Sequence, residues 1–238
     1  MKIDCTIADN IEKFFKNQEV MRTFPTSNHF SEKQMSEFLS YSRDNLNKLR
    51  SHCADLKLST LQRFAVKMDL NLPVMFSTEF DAIVTDRYSL KVDDIHPDDD
   101  ETIIDEKRRI LQRRAFQCDD NLPQFIDNFS KNIRAILQKN HQKLVTLYQN
   151  EDREISGWPP DNERLSRRTV TKILSLTNRC ENCNVSTLGW LALCTGYGWD
   201  DIGTLLCDPA ILQFKDGKLV PKAGHENTFL LEPANIII

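Results

Sequence analysis

Two cysteines three positions apart, Cys180 and Cys183, are the residues most suited to chemistry in this sequence. Such a C-x2-C pair binds one metal ion or acts as a redox dithiol. Zinc needs two further ligands, and the next thiols, Cys194 and Cys207, lack the second close spacing of a zinc ribbon or finger. The pattern therefore favours small buried thiols over a zinc site at Cys180 and Cys183, and we expect no cofactor.

Other catalytic patterns are missing from the sequence. It contains no P-loop, no dinucleotide-binding glycine pattern and no G-x-S-x-G nucleophile turn. A cysteine nucleophile would need a histidine brought close by the fold. The five histidines are scattered along the chain, at His29, His52, His96, His141 and His225. We therefore expect a protein without enzymatic activity.

Basic residues at helical spacing form the strongest candidate binding surface. Their offsets of 0, 3, 4 and 8 positions place four cations on one side of a helix. These cations are Arg164, Arg167, Arg168 and Lys172. Only Asp161 and Glu163 oppose them nearby, so this face is predicted to bind a protein partner.

A second basic run lies earlier in the chain, downstream of an aspartate-rich stretch. It consists of Lys107, Arg108, Arg109, Arg113 and Arg114. Charge runs are usually solvated surface, and the upstream aspartates neutralise this one. The alternative interpretation is a patch for nucleic acid or an acidic partner, which would make binding strongly salt-dependent.

Aromatic residues cluster later in the chain, between positions 190 and 199. Trp190, Tyr197 and Trp199 lie within ten positions of one another, and exposed rings of this kind form binding hot spots. Apolar neighbours predict that Trp190 is buried. Trp199, between Gly198 and Asp200, is expected to be partly exposed and to contribute to partner binding.

Glycine usage divides the chain into two predicted regions. All seven glycines lie between Gly157 and Gly224, and a long glycine-free stretch rich in Leu, Lys, Glu and Gln is typical of helices. We predict an antiparallel helical bundle or hairpin over residues 1–156 and a compact α+β region over residues 157–238. The Pro-Pro joint at 156–160 is the candidate linker.

Apolar periodicity and capping patterns place the predicted helices. A capping box at Ser31 opens a helix continuing to Cys53, and a second capping pattern begins at Ser59. A short helix covers residues 78–88, and the longest one runs from 121 to about 150. Further helices cover 161–177 and 186–196, and a last short one covers 200–206. Asp216-Gly217 predicts a β-hairpin.

Composition constrains the compartment and the partners. The 238 residues carry a formal net charge of −4, which gives no overall attraction to nucleic acid or anionic lipid. The apolar runs are too short to cross a bilayer, so no membrane association is expected. An odd number of cysteines, seven, without an export signal favours reduced thiols in the cytoplasm or nucleus.

Residues 169–206 carry a family resemblance. An apolar helix, then Cys183-Asn184-Val185, then two further helices, resemble the last helices of a death domain from an immune signalling adaptor. The resemblance covers under a fifth of the chain and implies a signalling adaptor. The sequence as a whole predicts a mainly α scaffold or adaptor that binds another protein. Nucleic-acid binding, a zinc- or thiol-dependent protein, and a homo-oligomer or coiled coil stay open as alternatives.

Overall fold

The computed structural model describes residues 5–24, 29–51, 55–92, 122–142, 166–175 and 183–225. These residues form ten α-helices, two 3₁₀ helices and one two-stranded antiparallel sheet. The helices are α1 (Cys5–Lys16), α2 (Gln18–Thr23), α3 (Glu32–Leu39), α4 (Arg43–Arg50), α5 (Leu58–Lys67), α6 (Phe80–Val92), α7 (Leu122–Lys139), α8 (Arg167–Leu174), α9 (Val185–Cys194) and α10 (Ile202–Leu205). The strands are β1 (Leu212–Lys215) and β2 (Lys218–Pro221). The predicted mainly helical class with a C-terminal hairpin is confirmed.

The centre of the packing is the 3₁₀ helix Leu72–Phe76, whose five residues are all buried. Pro73 suits the first turn because the backbone N–H that proline lacks would have no partner within the helix at this position. The segment contacts α1, α5 and α6 from the N-terminal half and α10 from the C-terminal half. One hydrophobic core therefore includes residues from Ile7 to Leu219.

Aromatic rings join the first helices to one another. Phe38 of α3 lies at the centre of this group, with ring centroids 5.5 Å from Phe15 and 5.4 Å from Phe24. Edge-on pairs of this kind are favoured by the ring quadrupole and add to the burial of apolar area. We call this group the aromatic cluster; its members are Phe14, Phe15, Phe24, Phe30, Phe38 and Tyr88.

Left-handed residues end two helices earlier than the sequence predicted. The helix from Ser31 was expected to reach Cys53, but Ser40 adopts φ 49° and separates α3 from α4. The longest helix was expected to reach about residue 150, but α7 ends at Lys139 and His141 adopts φ 53°. The Gln142 amide then donates to the Leu137 carbonyl at 2.8 Å and satisfies one of the last carbonyls of the helix. Glycine is the usual residue at such a left-handed position, and His141 takes its place here.

Helix starts also differ from the predicted capping residues. Ser31 forms the expected capping box with Gln34. In contrast, α5 begins at Leu58 without a side-chain cap rather than after Ser59. Helix α8 begins after Ser166, which caps it, and Asp161 lies outside the described residues.

Helix α9 starts at Val185, one residue before the predicted start at Ser186, and its cap comes from a distant part of the chain. The Ser186 amide donates to a carboxylate oxygen of Asp55 at 3.2 Å, and the Ser186 hydroxyl donates to the other oxygen. Lys57 and Asn184 form a short antiparallel bridge beside this cap. The start of α9 is therefore held by the segment that precedes α5.

Buried asparagines of α7 supply hydrogen bonds that α10 cannot make alone. The Leu205 carbonyl would bond the amide four residues on, but that residue is Pro209, which has no N–H. Asn132 instead donates to the carbonyls of Leu205 and Cys207, both at 2.9 Å. Asn128 donates to the Leu206 carbonyl at 3.2 Å. These amides fix α10 on α7 and allow the chain to turn into the hairpin.

The hairpin turns at the predicted dipeptide. Asp216 and Gly217 adopt φ 50° and 83°, as a type I′ turn requires at both central residues. The Leu219 amide of β2 donates to the Tyr197 hydroxyl at 2.8 Å, which attaches the hairpin to the turn after α9.

The predicted boundary near residue 156 lies outside the described residues, so the division into two domains stays a prediction. The described parts of both regions share backbone hydrogen bonds, since the Leu58 amide donates to Cys183 and the Val185 amide donates to Leu56, both at 2.8 Å. None of the helices within the described ranges has the apolar length needed to cross a membrane.

Candidate functional site

Three of the four cations of the predicted binding face lie on the short amphipathic helix α8. Ser166 caps it, with its hydroxyl oxygen accepting from the Thr169 amide at 3.1 Å. Val170, Ile173 and Leu174 are buried, which follows from their helical spacing. The remaining side of the helix is turned away from the core.

Helix α7 holds α8 in place. The two helices pack against each other, and the Arg134 side chain of α7 donates to the carbonyl of Leu174, the last residue of α8, through Nε at 2.8 Å and also through Nη2. The negative end of the helix dipole also attracts a cation at this position. The orientation of α8 is therefore fixed by an apolar contact and by a charged cap.

Three cations lie exposed on α8: Arg167, Arg168 and Lys172. The helix has no acidic residue. Within the described residues, no ion pair or hydrogen bond involves the side chain of Arg168 or Lys172. By contrast, Lys131 of α7 lies 2.7 Å from Asp127 in the same helix. We call the exposed side of α8 with these three cations the basic face.

The other predicted cations cannot be placed on this face. Arg164 lies outside the described residues. The same holds for Lys107, Arg108, Arg109, Arg113 and Arg114. Their assignment to a partner or nucleic-acid surface stays a prediction.

Trp199 is half-buried beside α9. Its ring lies over Gly189, where an added Cβ would come within 1.6 Å of the indole, and it meets the buried Trp190 edge-on at 6.4 Å. Glycine at 189 is therefore required for this packing. No hydrogen bond, ion pair or ring contact in the described part of the chain joins Trp199 to Arg168 or Lys172. The predicted contribution of Trp199 to partner binding stays untested.

The cysteines with described side chains are buried. Burial raises the pKa of Cys194 and of Cys207 to about 12, so both thiols are protonated near neutral pH and are weak nucleophiles and ligands. Cys183 is also buried, and Cys180, the other cysteine of the C-x2-C pair, lies outside the described residues. Among the residues the structure describes, no three His, Cys, Asp or Glu side chains are grouped as metal ligands.

Two residues that position the basic face were not singled out by the sequence analysis. The helix was expected to start at Asp161, which would place Ser166 inside the helix and not at its cap. Arg134 lies on the predicted longest helix, and the sequence does not indicate that it contacts residue 174. The signal available for Ser166 was its residue type, since serine is one of the preferred N-cap residues.

Comparisons of this chain with protein-family models, with curated proteins and with solved structures found no match in any of the three.

Proposed function

We propose that this protein is a non-enzymatic scaffold or adaptor that binds an acidic segment of a partner protein through the basic face of α8. The observation that carries the proposal is the group of exposed cations, of which Arg168 and Lys172 have no ion-pair or hydrogen-bond partner among the described residues. The absence of a catalytic motif in the sequence supports the non-enzymatic part.

The chemistry of the face suits carboxylates. Each arginine presents a planar fork of donors that can grip a carboxylate with two parallel hydrogen bonds. Arg168 and Lys172 lie four residues apart, so they are neighbours on one helix side. A partner with acidic side chains at matching spacing would pair with both at once.

The rigid support of α8 also favours recognition. Binding costs less when the surface is already ordered in its bound form. The buried apolar side of α8 and the Arg134 cap provide this order before any partner arrives.

Charge reversal at the face tests the proposal. We expect Arg168→Glu with Lys172→Glu to weaken partner binding by about tenfold or more, because two attractions are replaced by two repulsions of similar size. The measurement is affinity capture from the native source by the immobilised full chain, followed by titration of the retained protein.

The matched control reverses two exposed cations of α4, Arg43→Glu with Lys48→Glu, and changes the net charge equally. We expect at least one protein to be retained by both the wild-type chain and the control. The same protein should be lost by the α8 variant. If the α8 variant retains every protein that the wild type retains, the assignment of the basic face is wrong.

The same cations could contact nucleic-acid phosphates, and this is a separate outcome of the test. Three cations on a chain of net charge −4 give a weak electrostatic footprint for nucleic acid, so we favour the protein partner. Retention of a duplex oligonucleotide on a filter at low salt, lost in the α8 variant, would replace the adaptor proposal with nucleic-acid binding.

A further inference from the structure

Ser166 carries an exposed hydroxyl directly beside the basic face. Arg167 and Arg168 follow it without a break, so the chain reads Ser-Arg-Arg at this point. Some kinases select substrates by charge, and the carboxylates of an acidic substrate groove would pair with arginines beside the hydroxyl. The exposed hydroxyl and the two exposed arginines are therefore the parts of a modification site.

The local structure can accept a phosphate on this hydroxyl. The Ser166 oxygen already accepts from the Thr169 amide at 3.1 Å and lies 2.9 Å from the Thr169 hydroxyl oxygen. The first turn of α8 has no acidic residue. A phosphate here would lie at the positive end of the helix dipole, which favours negative charge.

We propose that Ser166 is phosphorylated by an arginine-directed serine/threonine kinase, and that the phosphate switches off the basic face. This inference rests on the proposed function of that face. The kinase transfers the γ-phosphoryl group of ATP to the Ser166 oxygen. The new oxygen–phosphorus bond replaces the bond to the bridging oxygen of ATP, ADP leaves, and the hydroxyl proton goes to the catalytic base of the kinase.

The charge of the face changes sharply on modification. Arg167, Arg168 and Lys172 give α8 three positive charges and no negative one. Phosphoserine adds roughly −1.5 to −2 near neutral pH, so about half or more of this charge is cancelled. The helix itself is retained, since the phosphate keeps the capping role of the hydroxyl.

Two substitutions separate charge from capping. Asparagine and aspartate are both good N-cap residues, so Ser166→Asn preserves the cap without charge and Ser166→Asp preserves it with one negative charge. The probe is fluorescein-labelled poly-L-glutamate, titrated with the full chain and followed by anisotropy at low salt. Because both variants keep a capping side chain and differ only in charge, we expect Ser166→Asp to bind roughly two- to fivefold more weakly than Ser166→Asn.

The modification itself is tested with the purified kinase. Wild-type chain is incubated with an arginine-directed serine/threonine kinase and magnesium ATP, and the phosphate is located by mass spectrometry. We expect phosphate at Ser166 of the wild type, none at position 166 of Ser166→Asn, and roughly three- to tenfold weaker probe binding by the phosphorylated chain. No phosphate at Ser166, or unchanged probe binding after its addition, overturns the switch.

The variant Arg168→Glu with Lys172→Glu is included in the same titration. If it binds the probe as the wild type does, the basic face does not bind acidic chains and the proposed function fails. If it binds weakly while the phosphorylated chain binds normally, only the switch fails. The two failures are thus distinguishable.

Discussion

Replacement of Phe15 by alanine is expected to lower the free energy of unfolding by about 3–5 kcal/mol. Phe15 is almost fully buried, and its ring contacts three others at centroid distances of 5.0–5.5 Å. Removal of the ring loses apolar burial, leaves a cavity and breaks the edge-on pairs that join α1 to Phe38 of α3 and to Phe30 just before α3. Since whole domains are stable by only about 5–15 kcal/mol, this loss is a large share.

Equilibrium unfolding in urea measures the effect. Phe15→Leu is the matched control, because leucine fills much of the same volume, and we expect it to cost less than about 1.5–2 kcal/mol. Equal losses for the two substitutions would show that the ring is not packed as described. A loss below about 1 kcal/mol for Phe15→Ala would contradict burial of this side chain.

Replacement of Asn132 by alanine is expected to cost about 2–4 kcal/mol, because two buried carbonyls lose their donor. Asn132 donates to Leu205 and Cys207, each at 2.9 Å. Pro209 cannot replace this donor, and a buried carbonyl without a partner loses its hydration without compensation. We therefore expect α10 and the hairpin behind it to loosen together.

The same substitution elsewhere on this segment is the control. Asn140 follows α7 and is exposed, so Asn140→Ala should change the free energy of unfolding by less than about 0.5 kcal/mol. Both variants are measured by urea unfolding. If Asn132→Ala is as mild as Asn140→Ala, the amide is not an essential cap for α10.

The class of fold could be predicted from apolar periodicity, but the helix lengths could not. The first 156 residues have no glycine, so no glycine marks where a helix ends in this stretch. The chain uses Ser40, Asp69 and His141 in the left-handed conformation instead. Such residues cost about 1–2 kcal/mol each in that conformation, which surrounding packing has to offset. This offset is a tertiary effect and leaves no simple sequence signal.

Hydrogen bonds between distant segments could not be predicted either, because the sequence does not show which segments lie side by side. Asp55 caps α9 from 131 positions away. Asn128 and Asn132 are four positions apart and therefore lie on one side of α7, but the sequence does not show which carbonyls they bind. One of their acceptors is the Leu205 carbonyl, whose usual donor four residues on is replaced by Pro209. A proline just after a short helix was therefore the signal available for them.

Much of the candidate site could be predicted because it depends on local spacing. Arg167, Arg168 and Lys172 lie exposed on α8, as their offsets indicated. The position of Trp199 depends instead on contact with Gly189, ten residues earlier, which periodicity does not encode. The link between α8 and its support, Arg134, likewise joins segments 40 positions apart.

Chemical footprinting of lysines tests the proposed recognition by α8 most directly. The full chain is acetylated alone and in complex with the partner that it captures, and the rates at Lys172 and Lys48 are compared by mass spectrometry. Both lysines are exposed in the free chain. A partner bound to the basic face is expected to slow acetylation of Lys172 and to leave the rate at Lys48 unchanged. An unchanged rate at Lys172 in the saturated complex would contradict recognition by this face.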